Sequence, residues 1–129
     1  MDNKKLIESA LNVLDRSYSI YSNYKVAAAV EMADGTVYKG VNIENASYGL
    51  TICAERSAIA NAITNGDSRT IKKIAIINKD SYPFPCGACR QFISEFTKDA
   101  EIIVAKSSDD YKVFNIKDLL PESFSLDDN

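Results

Sequence analysis

Leu6, Ile7, Ala10, Leu11, Val13 and Leu14 return at three- and four-residue intervals among polar neighbours. That is the stripe of a helix with one buried face, and it predicts a helix over about residues 4–18. Residues 26–32 and 37–44 then read as two strands joined by Ala33, Asp34 and Gly35, where the Asp-Gly pair signals a hairpin. After Thr51 the period changes back. Cys53 and Glu55 open an apolar-periodic run to about Thr64, so a helix starts near Cys53 and ends before Asn65 and Gly66. Residues 74–77 are an unbroken apolar run, which suits a strand buried on both faces. Pro83 and Pro85 punctuate the chain ahead of a further helix over about 86–96. Two last strands, 102–105 and 111–116, are separated only by residues 106–110. A link that short cannot carry a parallel crossover, so if these strands are neighbours they run antiparallel.

The order helix, strand, strand, helix, strand, helix, strand, strand predicts an α/β sandwich with a mixed sheet and helices on its faces. At 129 residues, of which 46% are hydrophobic and 26% charged, the chain fits one domain, residues 1–129. The formal charge of -3 leaves no electrostatic footprint for a phosphate backbone, which argues against nucleic acid as a partner. No run approaches the roughly 18 apolar residues of a membrane span. Nor does the start resemble an export signal, so the expectation is a cytoplasmic protein without a membrane partner. Asp127, Asp128 and Asn129 read as a solvated acidic end.

Chemistry concentrates in three cysteines and one glutamate. Cys86 and Cys89 form a C-x-x-C pair at a predicted helix start, and Cys53 supplies one more thiol from another. An odd count in a chain without an export signal argues against a disulfide framework. Three thiolates leave a tetrahedral zinc one position short, and the chain has no histidine to close it. A closed site would have to recruit a carboxylate, and a catalytic site whose fourth position belongs to water or substrate is the more economical reading. Taken alone, Cys53 suits a small buried hydrophobe, and Cys86 with Cys89 suits a dithiol redox pair whose pKa a helix start lowers. Redox chemistry, however, gives no reason for a third cysteine followed two residues later by Glu55. Glu55 could move a proton from a metal-activated water to substrate, although a glutamate in a first turn also serves the helix dipole. Three thiolates give the zinc site net charge -1, which Arg56 and two helix amino termini could offset.

The segment Cys53, Ala54, Glu55, Arg56 followed by Pro85, Cys86, Gly87, Ala88, Cys89, Arg90, Gln91 resembles the zinc-dependent cytidine deaminases. The wider class carries H-x-E…P-C-x-x-C, and cysteine here takes the place of that histidine. The three-cysteine form is similar to the small homotetrameric branch. The likeness extends to Tyr21, Ser22, Tyr24, Val26 and Ala28, to residues 42–46 with Tyr48, and to Leu119, Leu120, Pro121 and Phe124. Tyr24 stands where that family commonly has phenylalanine, and Ala27 where it commonly has glycine.

This resemblance implies a three-layer α/β/α sandwich with a mixed five-stranded sheet whose last two strands are antiparallel. It implies one zinc per chain on Cys53, Cys86 and Cys89, with Glu55 as the proton shuttle in the hydrolysis of cytidine and deoxycytidine to uridine, deoxyuridine and ammonia. Asn42 and Glu44, expected on one face of a strand, would hold the ribose hydroxyls. The amide of Ala54 would hold the base carbonyl. Tyr24 and Phe124 would pack on the pyrimidine, with Phe124 and Tyr48 coming from a neighbouring subunit of a homotetramer. Deamination of another small amino-heterocycle and polynucleotide editing are the rival activities. A zinc-binding or redox protein without catalysis is the rival class.

Overall fold

The computed structural model describes residues 1–126; the acidic end at Asp127, Asp128 and Asn129 lies outside the described residues. Helix α1 (Asn3–Leu11) is followed by the hairpin β1 (Ala27–Met32) and β2 (Val37–Val41), then α2 (Ala54–Asn65), β3 (Ile71–Ile77), α3 (Gly87–Ser94), β4 (Glu101–Ser107), β5 (Asp110–Asn115) and α4 (Ile116–Leu119). The strands form one sheet in the order β2-β1-β3-β4-β5, with β3 and β4 parallel and the other pairs antiparallel. Only Ser108 and Asp109 lie between β4 and β5. The mixed five-stranded sheet and its antiparallel final pair are therefore as the chain and its resemblance predict.

The central strands are buried on both faces, and the period of two sorts them. Ala27 and Ala29 of β1, with Ala75 and Ile77 of β3, pack against Leu6, Ile7 and Ala10 of α1. Ala28, Val30, Ile74 and Ile76 face the other way, onto Ala58 and Ile59 of α2 and Ile93 of α3. Small residues let α2 lie close to the sheet. At Gly40 of β2 a Cβ would come within 2.8 Å of the Ala58 Cα, so only glycine fits that crossing. Gly35 closes the hairpin with φ +89°, a conformation that a side chain would oppose.

Three expectations need correction. Strand β3 opens at Ile71 rather than at residue 74. The first helix ends at Leu11 rather than running to residue 18; a short 3₁₀ turn, Leu14–Arg16, follows. The chain must redirect there, because the amide of Tyr18 bonds the Asn42 carbonyl and its carbonyl takes the Glu44 amide. The second strand likewise stops at Val41. Asn42 and Glu44 lie beyond it, in a segment whose middle residue, Ile43, bridges to Tyr18 on one side and Ile52 on the other.

Candidate metal centre and pocket

Helices α2 and α3 start side by side, each with a cysteine at its cap. Cys53 caps α2 and Cys86 caps α3, while Cys89 sits in the first turn of α3 and donates its amide to the Cys86 Sγ at 3.4 Å. All three sulfurs lie within 4.8 Å of one another, and none is in a disulfide. A tetrahedral zinc with Zn–S of ~2.3 Å requires thiolates ~3.8 Å apart, so this donor set fits the metal in chemistry and in spacing. Both helix termini add partial positive charge at the same place.

Cys53 and Cys89 influence each other's ionisation. Cys53 is brought down to about 5 by the Cys89 thiol that hydrogen-bonds it and by Arg56 beside it. Cys89 is pushed up, as the donor to Cys53 and through burial. Arg56 Nη2 lies 3.6 Å from the Cys53 Sγ. Glu55, one residue into α2 from Ala54, is only 4% exposed. Burial pushes its carboxyl up to about 7, and the negative charge of Cys53 adds to the rise. A carboxyl so placed can exchange a proton at neutral pH.

Above these groups opens a cavity of about 410 Å³. Tyr24, Val26 and Asn42 line it on one side, Cys53, Ala54, Glu55 and Cys86 at the helix starts, and Tyr82, Pro83 and Phe84 on another. The expectations of Cys53, Cys86, Cys89, Glu55, Ala54, Tyr24 and Asn42 thus converge on one place. As the first residue of α2, Ala54 presents an amide that no carbonyl of the helix can satisfy.

Glu44 and Tyr48 line an adjoining hollow of about 350 Å³ that shares Thr51 with the cavity. Phe124 stands apart, 67% exposed, in a groove with Phe96 and Leu120; Gln91 of α3 holds its backbone through bonds of 2.9 and 3.1 Å. Asn42 and Glu44 both clamp the segment that precedes β1. Asn42 Oδ1 accepts from the Ser17 hydroxyl and, at 3.1 Å, from the Val26 amide, while its Nδ2 donates to the Tyr24 carbonyl at 2.8 Å. Glu44 accepts the amides of Tyr21 and Ser22 at 3.0 and 3.1 Å and the Ser22 hydroxyl, which holds its carboxyl below the usual range. Sequence reasoning missed Tyr82, Pro83 and Phe84. Their signal was proximity to Cys86, since residues just ahead of a metal-bearing helix start must border the site.

Residues 1–106 match the family model described as the cytidine and deoxycytidylate deaminase zinc-binding region. The cytidine deaminase of Halalkalibacterium halodurans is 40% identical over 99% of this chain and 98% of its own length. Among solved structures, the cytidine deaminase of Burkholderia pseudomallei superposes with a TM-score of 0.89 at 41% identity, covering 96% of this chain and 100% of that one. The cytidine deaminase of Mycobacterium tuberculosis superposes with a TM-score of 0.85 at 32% identity, covering 98% and 99%.

Proposed function

This chain belongs to the cytidine and deoxycytidylate deaminase family, and on that premise we propose that it hydrolyses free cytidine and deoxycytidine to uridine or deoxyuridine and ammonia. One observation carries the reading: three convergent thiols and a buried carboxyl, Glu55, occupy the two helix starts at a single nucleoside-sized cavity.

Zinc held by Cys53, Cys86 and Cys89 supplies the Lewis acidity that makes water a nucleophile at neutral pH. The chain's own groups do the rest. Glu55 takes a proton from the attacking water, delivers it to N3 of the base, and helps protonate the amine that leaves C4. The Ala54 amide meets the base carbonyl, and Tyr24 packs against the ring. Because Asn42 Oδ1 already accepts two hydrogen bonds, Asn42 meets the ribose as a donor, through its remaining amide hydrogen. Glu44 accepts from a hydroxyl.

The active form is a homotetramer in which Phe124 and Tyr48 complete a neighbour's pocket. Supporting this, Tyr48 and Leu50 are 80% and 65% exposed, and Phe124 lies away from the cavity of its own chain. The protein works in the cytoplasm, in pyrimidine salvage, as a single-domain subunit. Free nucleosides are favoured over polynucleotides by the net charge of -3 and by the antiparallel β4–β5 pair. The test is ultraviolet measurement of cytidine, deoxycytidine and CMP conversion by purified protein, with zinc quantified on the same sample. Turnover of both nucleosides with about one zinc per chain is expected. Full activity without zinc, or none on either nucleoside with zinc bound, overturns the proposal.

A further inference from the structure

Tyr24 is tied down at three points. Its carbonyl accepts from Asn42 Nδ2 at 2.8 Å, its amide donates to the Ser22 Oγ at 3.0 Å, and its hydroxyl shares a hydrogen bond of 2.7 Å with the Ser81 Oγ. The first two bonds involve backbone and are open to any residue at this position. The third belongs to the tyrosine hydroxyl, and phenylalanine would forfeit it.

Ser81 is a fixed partner. Its amide and that of Asp80 each donate to Asn78 Oδ1 at 2.9 Å. Asn78, itself buried, donates from Nδ2 to the Lys25 carbonyl at 2.7 Å. The result is a closed ring: Tyr24 side chain to Ser81, Ser81 backbone to Asn78, Asn78 side chain to Lys25, and Lys25 back to Tyr24 through the peptide bond. That ring joins two cavity-lining segments, the one with Tyr24 and Val26 and the one that continues from Ser81 into Tyr82, Pro83 and Phe84.

We propose that the Tyr24–Ser81 hydrogen bond makes Tyr24 a positioning residue for the nucleoside base, fixing the separation of the two aromatic sides of the pocket before substrate arrives. This rests on the deaminase reading and adds to it a contact made by the Tyr24 hydroxyl rather than by its ring. Without the bond, the two segments lose their direct side-chain link beside the cavity and are joined through Asn78 and through the pairing of β1 with β3 behind them, so ordering their cavity-facing residues becomes part of the cost of binding. The proton-transferring Glu55 and the thiols stand on α2 and α3, outside the ring, so the effect falls on binding more than on turnover.

Tyr24→Phe and Ser81→Ala test the bond from its two ends. Each is expected to raise KM for cytidine by about 2- to 10-fold, the range of one net hydrogen bond, with a smaller change in kcat. The double variant should match the single ones, and Ser81→Thr, which keeps the hydroxyl, should stay near wild type. Zinc content is measured throughout. Calorimetric binding of uridine to the same variants needs no turnover and should weaken in parallel. Wild-type uridine affinity in Tyr24→Phe and Ser81→Ala, effects that multiply in the double variant, or a Ser81→Thr as impaired as Ser81→Ala would overturn the proposal. A zinc-loaded wild type that binds uridine but does not deaminate cytidine would instead overturn the deaminase reading, while the uridine series still judges the hydrogen bond.

Discussion

Arg56 reaches back along the first turn of α2 to donate from Nη2 to the Cys53 Sγ at 3.6 Å, while its buried Nε has no hydrogen-bond partner among the described residues. A guanidinium is a costly group to confine unless a negative partner holds it, and the thiolate is that partner. Cys53 in turn keeps the Arg56 pKa raised. Three thiolates around a divalent ion would leave the centre with a net negative charge, and Arg56 is placed to draw part of it away.

Arg56→Ala is therefore expected to lower kcat with zinc retained, because excess charge on the ligands weakens the Lewis acid. Adding Cys53→His replaces a charged ligand with a neutral one and should recover part of the loss. Steady-state kinetics of the single and double variants decide it. A folded, zinc-loaded double variant with no recovery would refute the electrostatic account.

Glu55→Gln keeps the shape of a side chain that is 4% exposed but removes its ability to carry a proton. Turnover should fall by at least ~100-fold while the fold and most of the zinc persist. Circular dichroism and metal analysis on the same preparation separate this from collapse of the site. Near-normal deamination would reduce Glu55 to a residue that serves the start of α2.

The metal centre was legible because it is local. Cys53, Glu55, Cys86 and Cys89 lie in short segments at helix starts, and the resemblance rests on those same segments. The strands were legible for a similar reason, since the Asp34-Gly35 turn and the apolar run at 74–77 depend on neighbours in sequence. What was lost depends on partners far away. The first helix ends at Leu11 because Tyr18 pairs with the segment after β2, and Lys72 and Lys73 hid the start of β3 at Ile71. Lys73 has a distant partner, donating to Asn3 Oδ1 at 3.0 Å. Glu31, buried in β1, meets the Met1 amino group at 3.2 Å and the Lys72 Nζ at 3.9 Å; no period within the strand announces it.

Gly40→Ala tests the seam between β2 and α2. The added Cβ would press on backbone atoms of Ser57 and Ala58, which cannot rotate aside as a side chain can. Displacing α2 would cost about 1–3 kcal/mol and also move Cys53 and Glu55 at its start. A Tm lowered by several degrees together with reduced zinc retention is expected. An unchanged melting curve would mean that the crossing is looser than the close approach implies.

Removing residues 121–129 addresses what Phe124 does. In its own chain the ring is 67% exposed and lines a groove apart from the cavity at the thiols, yet its backbone is clasped by Gln91 on the helix that carries Cys89. A clasp on the backbone that leaves the ring exposed presents the ring outward. That suits a side chain meant for a neighbouring subunit better than one meant for its own core. Truncation should therefore raise KM for cytidine while zinc content holds, because Cys53, Cys86, Cys89 and Glu55 all remain. Phe124→Ala in the full-length chain should reproduce most of the rise, which separates the ring from the rest of the tail. Light scattering that finds a fully active monomer at assay concentration, or a truncated protein with unchanged KM and kcat, would remove Phe124 from the pocket.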